Sequence, residues 1–568
     1  MSRVPRVMSP QGLRLQVCAP HILSRLPGFL AACLASWFLD PASAGDWTQW
    51  GGRDCRNMIS EEKNLPETFD PGKKKTDGSG IDMATTKNVK WAVRLGSETY
   101  GNPAVSGGRV FIGTNNGAPR NRRYQGDWGT LMCFDERTGN FLWQLVVSKL
   151  RDEGNFNGDC ANLGVCSSPT VEGNRVYVVT TRCEVLCLDV EGLANGNDGP
   201  FLDEGEYVSV RLRHKPGKPP KGVKPPDKPE PPPPPPLTLD PTDADIIWRY
   251  DMMAELDIWT QDACDCSVLL RGDLLYTCTS NGVDRSHRYI PSPEAPTLIA
   301  LDKRTGKLVA TDEEDIGKRF FHGNWSSPSL AKVNGREELL LGAGDGFCYA
   351  FDPNPVDVPG RKAKVLKTIW KCDGNPPDYR TRDGKPLPYN QRAEGPSEMT
   401  GTPVFWRDRV YTTVGQDTRH GAGKGCLTCM DATKTGDISA TGVLWRYTGI
   451  NRSLATPSVT DDGLLFTADF IGTVHCLDAM TGQVYWTQET GWEGKGVGGQ
   501  CMGSTFVADG KVYFGNGAGI LTVLAATREK KLISQVRLGA PMHATPIAAN
   551  GVLYIPFHTY LYALQAPK

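Results

Sequence analysis

Short apolar segments, separated by turns that contain Gly, Asp or Asn, follow one another through most of this chain. The segments are rich in Val, Leu, Tyr and Phe, which pack well on the pleated surface of a sheet. No long stretch carries apolar residues at the spacing of an amphipathic helix. The pattern therefore predicts an all-β protein.

One phrase recurs along the sequence and defines a repeat. It opens with a polar residue, usually followed by Pro, and continues into an apolar strand, a tight turn and a second strand such as Arg-Val-Tyr. Internal repeats of this kind indicate a solenoid or a propeller. The predicted starts are Asn102, Ser168, Cys266, Ser327, Thr402, Thr456, Ser504 and Thr545.

The third strand of most copies ends in Asp, and a turn such as Asp-x-x-Thr-Gly follows it, as at Asp135, Asp302 and Asp478. An Asp carboxylate at this position can accept hydrogen bonds from the turn amides, and the Gly can adopt a positive φ. We therefore interpret these aspartates as structural and not as catalytic carboxylates.

A Trp follows on the fourth strand and completes a unit of propeller-blade length. Such a large ring at one repeat position favours a wedge between neighbouring blades over a ligand-stacking surface, which needs only one or two rings. The tryptophans at this position are Trp143, Trp248, Trp370, Trp445 and Trp486.

The last copy ends at its third strand, close to Leu564, and lacks a fourth. The segment from Asn88 to Val93 has the appearance of a fourth strand, including Trp91, and precedes the first copy. Pairing of the two chain ends would leave no open sheet edge. The sequence thus predicts an eight-bladed β-propeller of four-stranded antiparallel blades, closed by an N-terminal strand.

Residues 1–44 are predicted to be a signal peptide, with basic residues, an apolar run from Leu26 to Leu39 and a cleavage site after Ala44. Two alternatives are a short membrane anchor, for which the run is too short, and acylation at Cys33, whose following residues are still apolar. Cleavage after Ala44 predicts a periplasmic or secreted protein that does not span the membrane.

The mature chain divides into an N-terminal arm at 45–87 and the propeller at 88–568. A Pro-rich insertion interrupts the second blade at about 191–245, and its core from Pro216 to Pro236 is typical of extended polyproline II. It is either a solvated loop or a handle for a partner.

Charge argues against a nucleic-acid partner, and the cysteine content raises the question of disulfides. The net charge is −1 and no basic block stands out, so no nucleic-acid partner is predicted. The chain has 17 cysteines, and export permits disulfides. The pairs Cys160/Cys166 and Cys264/Cys266 are candidates for local bridges, whereas the cysteines of the third strands have the spacing of small buried residues.

The repeat resembles the pyrroloquinoline-quinone-type propeller repeat, most closely from Leu454 through Asp478 to Trp486. That resemblance covers about residues 88–568 and implies the fold more than the function. The family includes quinoprotein dehydrogenases, which bind the quinone and calcium in the central channel. It also includes non-catalytic scaffolds such as the outer-membrane assembly lipoprotein BamB.

The sequence lacks the residues that the catalytic group requires. Its dehydrogenases often carry two adjacent cysteines, whereas here Asp265 separates Cys264 from Cys266. No Glu, Asn and Asp set matches their calcium site. Cys426-x-x-Cys429 precedes Met430, which excludes a haem motif, and no second pair completes a zinc site.

The eight histidines are scattered along the sequence, and those near or within strands are interpreted as packed or hydrogen-bonded. These are His322, His475 and His543. We predict no catalytic residue, no metal site and no cofactor.

The sequence thus predicts an exported, non-catalytic scaffold or binding protein of the bacterial cell envelope, which presents loops to a protein or glycan partner. The alternative is an oxidoreductase that depends on pyrroloquinoline quinone and calcium and has a divergent site. A small-molecule sensor that uses the channel mouth is a third possibility.

Overall fold

The computed structural model describes residues 45–150, 161–210, 232, 234–284, 287, 289–389, 394–492 and 501–566. The predicted signal peptide, Cys160 and most of the Pro-rich segment lie outside these residues. None of the helices described is both long and apolar enough to cross a membrane.

The described residues form eight antiparallel sheets of four principal strands each, which confirms the predicted eight-bladed β-propeller. Blade 1 consists of Ala104–Ser106, Arg109–Asn115, Gly129–Asp135 and Phe141–Val147. Blade 2 consists of Thr170–Glu172, Arg175–Val179, Glu184–Asp189 and Ile246–Asp251. Blade 3 consists of Leu269–Arg271, Leu274–Cys278, Leu298–Asp302 and Leu308–Asp312. Blade 4 consists of Ser329–Val333, Arg336–Gly342, Phe347–Phe351 and Thr368–Asp373.

The remaining blades have the same order of strands. Blade 5 consists of Val404–Trp406, Arg409–Val414, Cys426–Asp431 and Val443–Tyr447. Blade 6 consists of Ser458–Val459, Leu464–Ala468, Thr473–Asp478 and Val484–Glu489. Blade 7 consists of Phe506–Ala508, Lys511–Gly515, Ile520–Ala525 and Leu532–Arg537. Blade 8 consists of Ile547–Ala549, Val552–Phe557, Tyr560–Leu564 and Val89–Arg94.

Short added strands, two hairpins and short helices lie outside the four principal strands of each blade. Parallel additions extend three blades: Ile59–Ser60 on blade 7, Lys364–Leu366 on blade 3 and Gly436–Asp437 on blade 4. Two small hairpins are Lys73–Lys74 with Ile81–Asp82 and Thr381–Arg382 with Lys385–Pro386. The helices are Met83–Thr85, Gly192–Asn195, Glu204–Ser209, Met252–Leu256, Ile316–Lys318, Pro377–Arg380 and Thr418–His420.

The two ends of the propeller sequence meet in blade 8. Val89–Arg94 pairs antiparallel with Tyr560–Leu564, and Trp91 lies opposite Ala563. The predicted closure of the ring by an N-terminal strand is therefore confirmed. It gives blade 8 the same four strands as its neighbours.

The fourth-strand tryptophans join neighbouring blades, as the repeat predicts. The indole of Trp91 in blade 8 donates to the carbonyl of Glu136 in the turn of blade 1, at 2.9 Å. A side chain at Gly139 would come within 2.8 Å of that ring, so the contact requires glycine. Trp370 is the exception, since it donates to the carboxylate of Glu338 in its own blade. The corresponding bonds elsewhere are Trp143 to Val190, Trp248 to Lys303, Trp445 to Ala479 and Trp486 to Thr527.

The turn aspartates have the structural role that the sequence indicates. The Asp135 carboxylate accepts from the main-chain N–H of Thr138 at 2.8 Å and from its hydroxyl at 2.6 Å. Asp302 and Asp478 make the same pair of bonds to Thr305 and Thr481.

Candidate functional site

The innermost strands of all eight blades run in the same direction, so the two faces of the propeller differ. We call the face where these strands begin the mouth face, and the face where they end the arm face. Two long loops, 281–296 after the second strand of blade 3 and 374–403 after the fourth strand of blade 4, belong to the mouth face.

Residues 45–62 cross the arm face and contact all eight blades. Trp47 pairs with Val105 of blade 1, and Ile59–Ser60 pairs with the innermost strand of blade 7. Further hydrogen bonds join Thr48 to Val171, Arg56 to Val268, Asp54 to Leu330, Trp50 to Thr402, Asn57 to Val459 and Glu62 to Gly551. This segment therefore covers one end of the central channel.

Arg56 lies fully buried in the middle of this segment. Its guanidinium donates to the carbonyls of Pro328 (3.0 Å) and Val268 (2.8 Å), which belong to neighbouring blades, and to the Gln49 side chain (2.9 Å). Burial lowers the pKa of Arg56 to about 10, so the group keeps its charge at neutral pH. A buried cation held by several acceptors fixes the arm against the ring.

A belt of hydrogen bonds surrounds the channel where the innermost strands begin. Seven main-chain N–H groups donate to the polar side chain at the same position of the next blade, over 2.5–3.3 Å. The predicted start of blade 3 at Cys266 is wrong by one residue. The hydroxyl that takes part in the belt belongs to Ser267. The pairs are Asn102 to Ser168, Ser168 to Ser267, Ser267 to Ser327, Thr402 to Thr456, Thr456 to Ser504, Ser504 to Thr545 and Thr545 to Asn102.

A cavity of about 360 Å³ occupies the channel above this belt and opens at the mouth face. Trp50 of the arm lies at its inner end, where its indole donates to Thr402 at 3.1 Å. The volume is that of a small-molecule site. Besides the belt, the lining includes Glu98, Tyr100, Leu163, Cys166, Asp262, Asp265, Trp325, Thr400, Asp417, Arg419, Leu454, Met502 and His543.

The cavity lining is acidic. Four carboxylates, Glu98, Asp262, Asp265 and Asp417, face one cation, Arg419, among the described lining residues. Burial raises the pKa of Glu98, and burial raises that of Asp265 to about 6. Burial opposes ionisation of Asp417 too, but the positive charge of the nearby His322 ring lowers the pKa of Asp417 below the usual range.

Several lining side chains hold buried polar atoms that have no hydrogen-bond partner among the described residues. Buried polar groups are normally paired, and an unpaired one costs about 1–3 kcal/mol. A polar ligand in the cavity would lie among these groups. The atoms are Asp265 Oδ1, Trp325 Nε1, Thr400 Oγ1, Asp417 Oδ2 and His543 Nδ1.

The histidines are scattered along the sequence, but the fold brings five of the eight into two groups. In one group the ring centroids of His287 and His322 lie 4.6 Å apart, and those of His287 and His420 lie 6.0 Å apart. In the other, His543 and His558 lie 4.7 Å apart. These residues are distant in sequence, so no local sequence motif predicts either group.

Of the individual expectations, His475 is hydrogen-bonded as predicted, to Tyr447 and Asp469. His322 and His543 are buried, but each keeps one ring nitrogen without a hydrogen-bond partner among the described residues.

The cysteine candidates do not assemble into a site. Cys264 and Cys266 are separate thiols, and Cys266 Sγ instead accepts from the main-chain N–H of Cys278 at 3.1 Å. Cys426 and Cys429 pack in different parts of the core, since residues three apart on a strand face opposite ways. The Cys160/Cys166 pair lies partly outside the described residues.

The described lining does not fit pyrroloquinoline quinone. This cofactor carries three carboxylates. The described lining offers it one guanidinium and four further carboxylates, so the charges repel. A calcium ion would offset part of that charge but would leave the lining without a net positive charge. The thiols of Cys264 and Cys266 also form no ring against which the quinone could stack.

Repeat and blade topology together define the class: the chain is an eight-bladed β-propeller whose repeats resemble the pyrroloquinoline-quinone-type repeat. The profile of the family described as outer membrane protein assembly factor BamB matches residues 81–192 and 380–488. The second matched segment spans blades 5 and 6. No curated protein sequence matches the chain significantly.

Solved structures of this repeat class resemble the chain at low identity. BamB from Moraxella catarrhalis is 12% identical, with 84% of this chain and 97% of that chain covered and a TM-score of 0.46. Quinohemoprotein alcohol dehydrogenase from Comamonas testosteroni is 15% identical, with 92% and 81% covered and a TM-score of 0.43. A europium-containing methanol dehydrogenase is 10% identical, with 91% and 90% covered and a TM-score of 0.43.

Proposed function

We propose that this chain is an exported, non-catalytic binding protein of the bacterial cell envelope, and that it binds a glycan in the mouth of its channel. The observation that carries the proposal is the lining of the cavity. Buried, unpartnered polar atoms of Asp265, Trp325 and Thr400 lie there beside aromatic rings.

The lining has the chemistry that recognises sugars. Trp325 and Tyr100 offer ring surfaces for the apolar C–H face of a sugar, while carboxylates accept hydrogen bonds from its hydroxyls. The excess of carboxylates disfavours an anionic ligand and favours a neutral or amino sugar. A cavity of about 360 Å³ accommodates the end of such a chain, with the rest extending over the mouth-face loops.

The rigid frame suits a binding role. The belt and the arm join all eight blades around the cavity, so the site is preorganised and loses little entropy when a ligand binds. The family match, whose description is that of an outer-membrane assembly factor, and the predicted signal peptide support a location in the envelope.

A binding measurement tests the proposal. The chain from Gly45 to Lys568 is titrated calorimetrically with neutral and amino-sugar oligosaccharides released from envelope polymers. Saturable binding that Asp265→Asn and Trp325→Ala each weaken about tenfold or more supports the proposal. Arg304→Ala, an exposed change on blade 3, is the matched control and is expected to leave affinity unchanged.

Absence of saturable binding across the neutral and amino-sugar set overturns the glycan assignment. Binding that Asp265→Asn and Trp325→Ala leave intact overturns the assignment of the site to the channel mouth.

A further inference from the structure

A cluster of imidazole and carboxylate groups lies beside the cavity at the mouth face. One nitrogen each of His287 and His322 and one oxygen of Asp417 all lie within 4.8 Å of one another. The residues come from the 281–296 loop, from the segment before blade 4 and from the loop between the second and third strands of blade 5. Three loops of adjacent blades thus bring three candidate ligands together.

The separation within the cluster suits one ion. His322 Nε2 and Asp417 Oδ2 lie 3.4 Å apart. A tetrahedral ion with bonds of about 2.0–2.1 Å separates its ligands by roughly this distance. The His287 side chain is half-buried, and its ligand nitrogen lies within 4.8 Å of those of the other two groups.

The hydrogen bonds at His322 Nε2 conflict with one another. Gln261 Nε2, an amide donor, lies 2.8 Å from this atom and 3.4 Å from His287 Nε2, while Gln261 Oε1 accepts from the N–H of Val283. If His322 Nε2 accepts from Gln261, it has no proton for Asp417 Oδ2; if it carries a proton, that proton faces the amide donor. A cation bound by His322 Nε2 and Asp417 Oδ2 would give the carboxylate a positive partner, and the Gln261 amide would then turn away from Nε2, whose single lone pair the cation takes.

A second buried His–Asp pair shows what a purely structural arrangement looks like. His475 Nε2 lies 3.3 Å from Asp469 Oδ2, and His475 Nδ1 is bonded to the hydroxyl of Tyr447. Asn451 donates twice to the same carboxylate oxygen. In contrast, His322 Nδ1 and Asp417 Oδ2 have no hydrogen-bond partner among the described residues, although both side chains are buried.

The surroundings orient the carboxylate and are electrostatically negative. Asp417 Oδ1 accepts from the main-chain N–H of Arg419 at 2.9 Å, which directs Oδ2 towards His322. Asp262 Oδ2 lies 3.9 Å from His322 Nε2, and buried Glu398 is linked to the site through the hydroxyl of Tyr389. Carboxylates around the two imidazoles favour a divalent cation.

We propose that His287, His322 and Asp417 form a binding site for one divalent transition-metal ion. Two imidazoles and one carboxylate are the ligands that zinc and its first-row neighbours prefer, whereas calcium and magnesium prefer oxygen ligands alone. The site adjoins the cavity through Asp417, which also belongs to the cavity lining.

Metal titration of the chelator-treated chain tests the site. We expect one Zn²⁺ per chain to bind, and Co²⁺ at the same site to give the visible absorption of a low-coordinate ion, while Ca²⁺ binds far more weakly. His287→Ala is the primary variant because the His287 side chain is only half-buried, and Asp417→Asn is the second. Each is expected to weaken Zn²⁺ binding about tenfold or more.

His475→Gln removes a buried imidazole from the matched His–Asp pair and is expected to leave Zn²⁺ affinity unchanged. The thermal unfolding of each apo variant is recorded first, and His287→Ala carries the test if Asp417→Asn does not fold. The proposal is overturned if the unaltered chain binds no Zn²⁺, if His287→Ala binds it as tightly, or if His475→Gln abolishes binding to the same extent.

Discussion

Arg56 Nε donates a hydrogen bond over 3.0 Å to the carbonyl of Pro328, a residue 272 positions further along the chain. The same guanidinium reaches Val268 of the preceding blade. One buried side chain of the arm thus bridges two blades at the end of the channel, and the arm is part of the propeller's closed structure.

Arg56→Ala is expected to lower the free energy of unfolding by about 3 kcal/mol or more, because it leaves buried carbonyls of two blades without a donor. Urea unfolding measures the change. The matched control is Arg53→Ala, which removes an exposed guanidinium paired with Glu61 and is expected to cost under about 1 kcal/mol. Equal effects would contradict the bridging role.

The belt predicts a cost for losing a single hydroxyl. Ser504→Ala removes the oxygen that accepts from the main-chain N–H of Thr456 at 2.9 Å and leaves that buried donor unpaired. We expect a loss of about 1–3 kcal/mol in thermal or urea unfolding. Ser79→Ala, on an exposed turn, is expected to change stability by less than about 0.5 kcal/mol. A neutral Ser504→Ala would show that the belt adds nothing to stability.

The turn aspartates predict a local effect on stability and none on binding. Asp478→Ala removes the acceptor for the N–H and hydroxyl of Thr481 and is expected to cost about 1 kcal/mol. Asp461→Ala, an exposed carboxylate on the same blade, is expected to be neutral. Both variants should retain the ligand affinity of the unaltered chain, and a selective loss of binding in Asp478→Ala would contradict a structural role.

The second histidine group predicts acid sensitivity. Burial lowers the pKa of His543 to about 3 and that of His558 to about 4, from an ordinary value of 6.5. Below pH 6.5 the unfolded chain takes up protons that the folded chain excludes, so stability falls as the pH decreases from 6.5 towards 4. Each ring is expected to contribute up to about 3 kcal/mol to this loss.

Unfolding of the double variant His543→Gln/His558→Gln, followed from pH 7 to pH 4, checks this contribution. The slope of stability against pH is expected to be shallower than in the unaltered chain. An unchanged slope would show that these rings are not the source of the acid sensitivity.

Most of the fold could be predicted from the repeat, because the residues that form each blade and its contacts recur at fixed positions in the sequence. The Thr-Gly turn after Asp135 and the Trp91 that packs on Gly139 are local or periodic signals. The missing fourth strand of blade 8 could be located at Val89–Arg94 for the same reason, since its Trp occupies the repeat position.

The site could not be predicted in this way. His287, His322 and Asp417 lie on three loops that depart from the repeat, so their convergence depends on blade geometry and not on spacing. The spacing of Cys264 and Cys266 suggested a local disulfide, whereas in the fold they are separate thiols. The path of Arg56 across the arm face likewise follows from tertiary contacts alone.

The most direct test of the central claim is a calorimetric titration of the chain from Gly45 to Lys568 with pyrroloquinoline quinone, with and without calcium. The cavity is acidic and Cys264 and Cys266 form no disulfide ring, so we predict no heat of binding and no thermal stabilisation under either condition. Calcium-dependent binding at micromolar or lower concentration would contradict a non-catalytic binding protein and would make the chain a candidate quinone-dependent oxidoreductase.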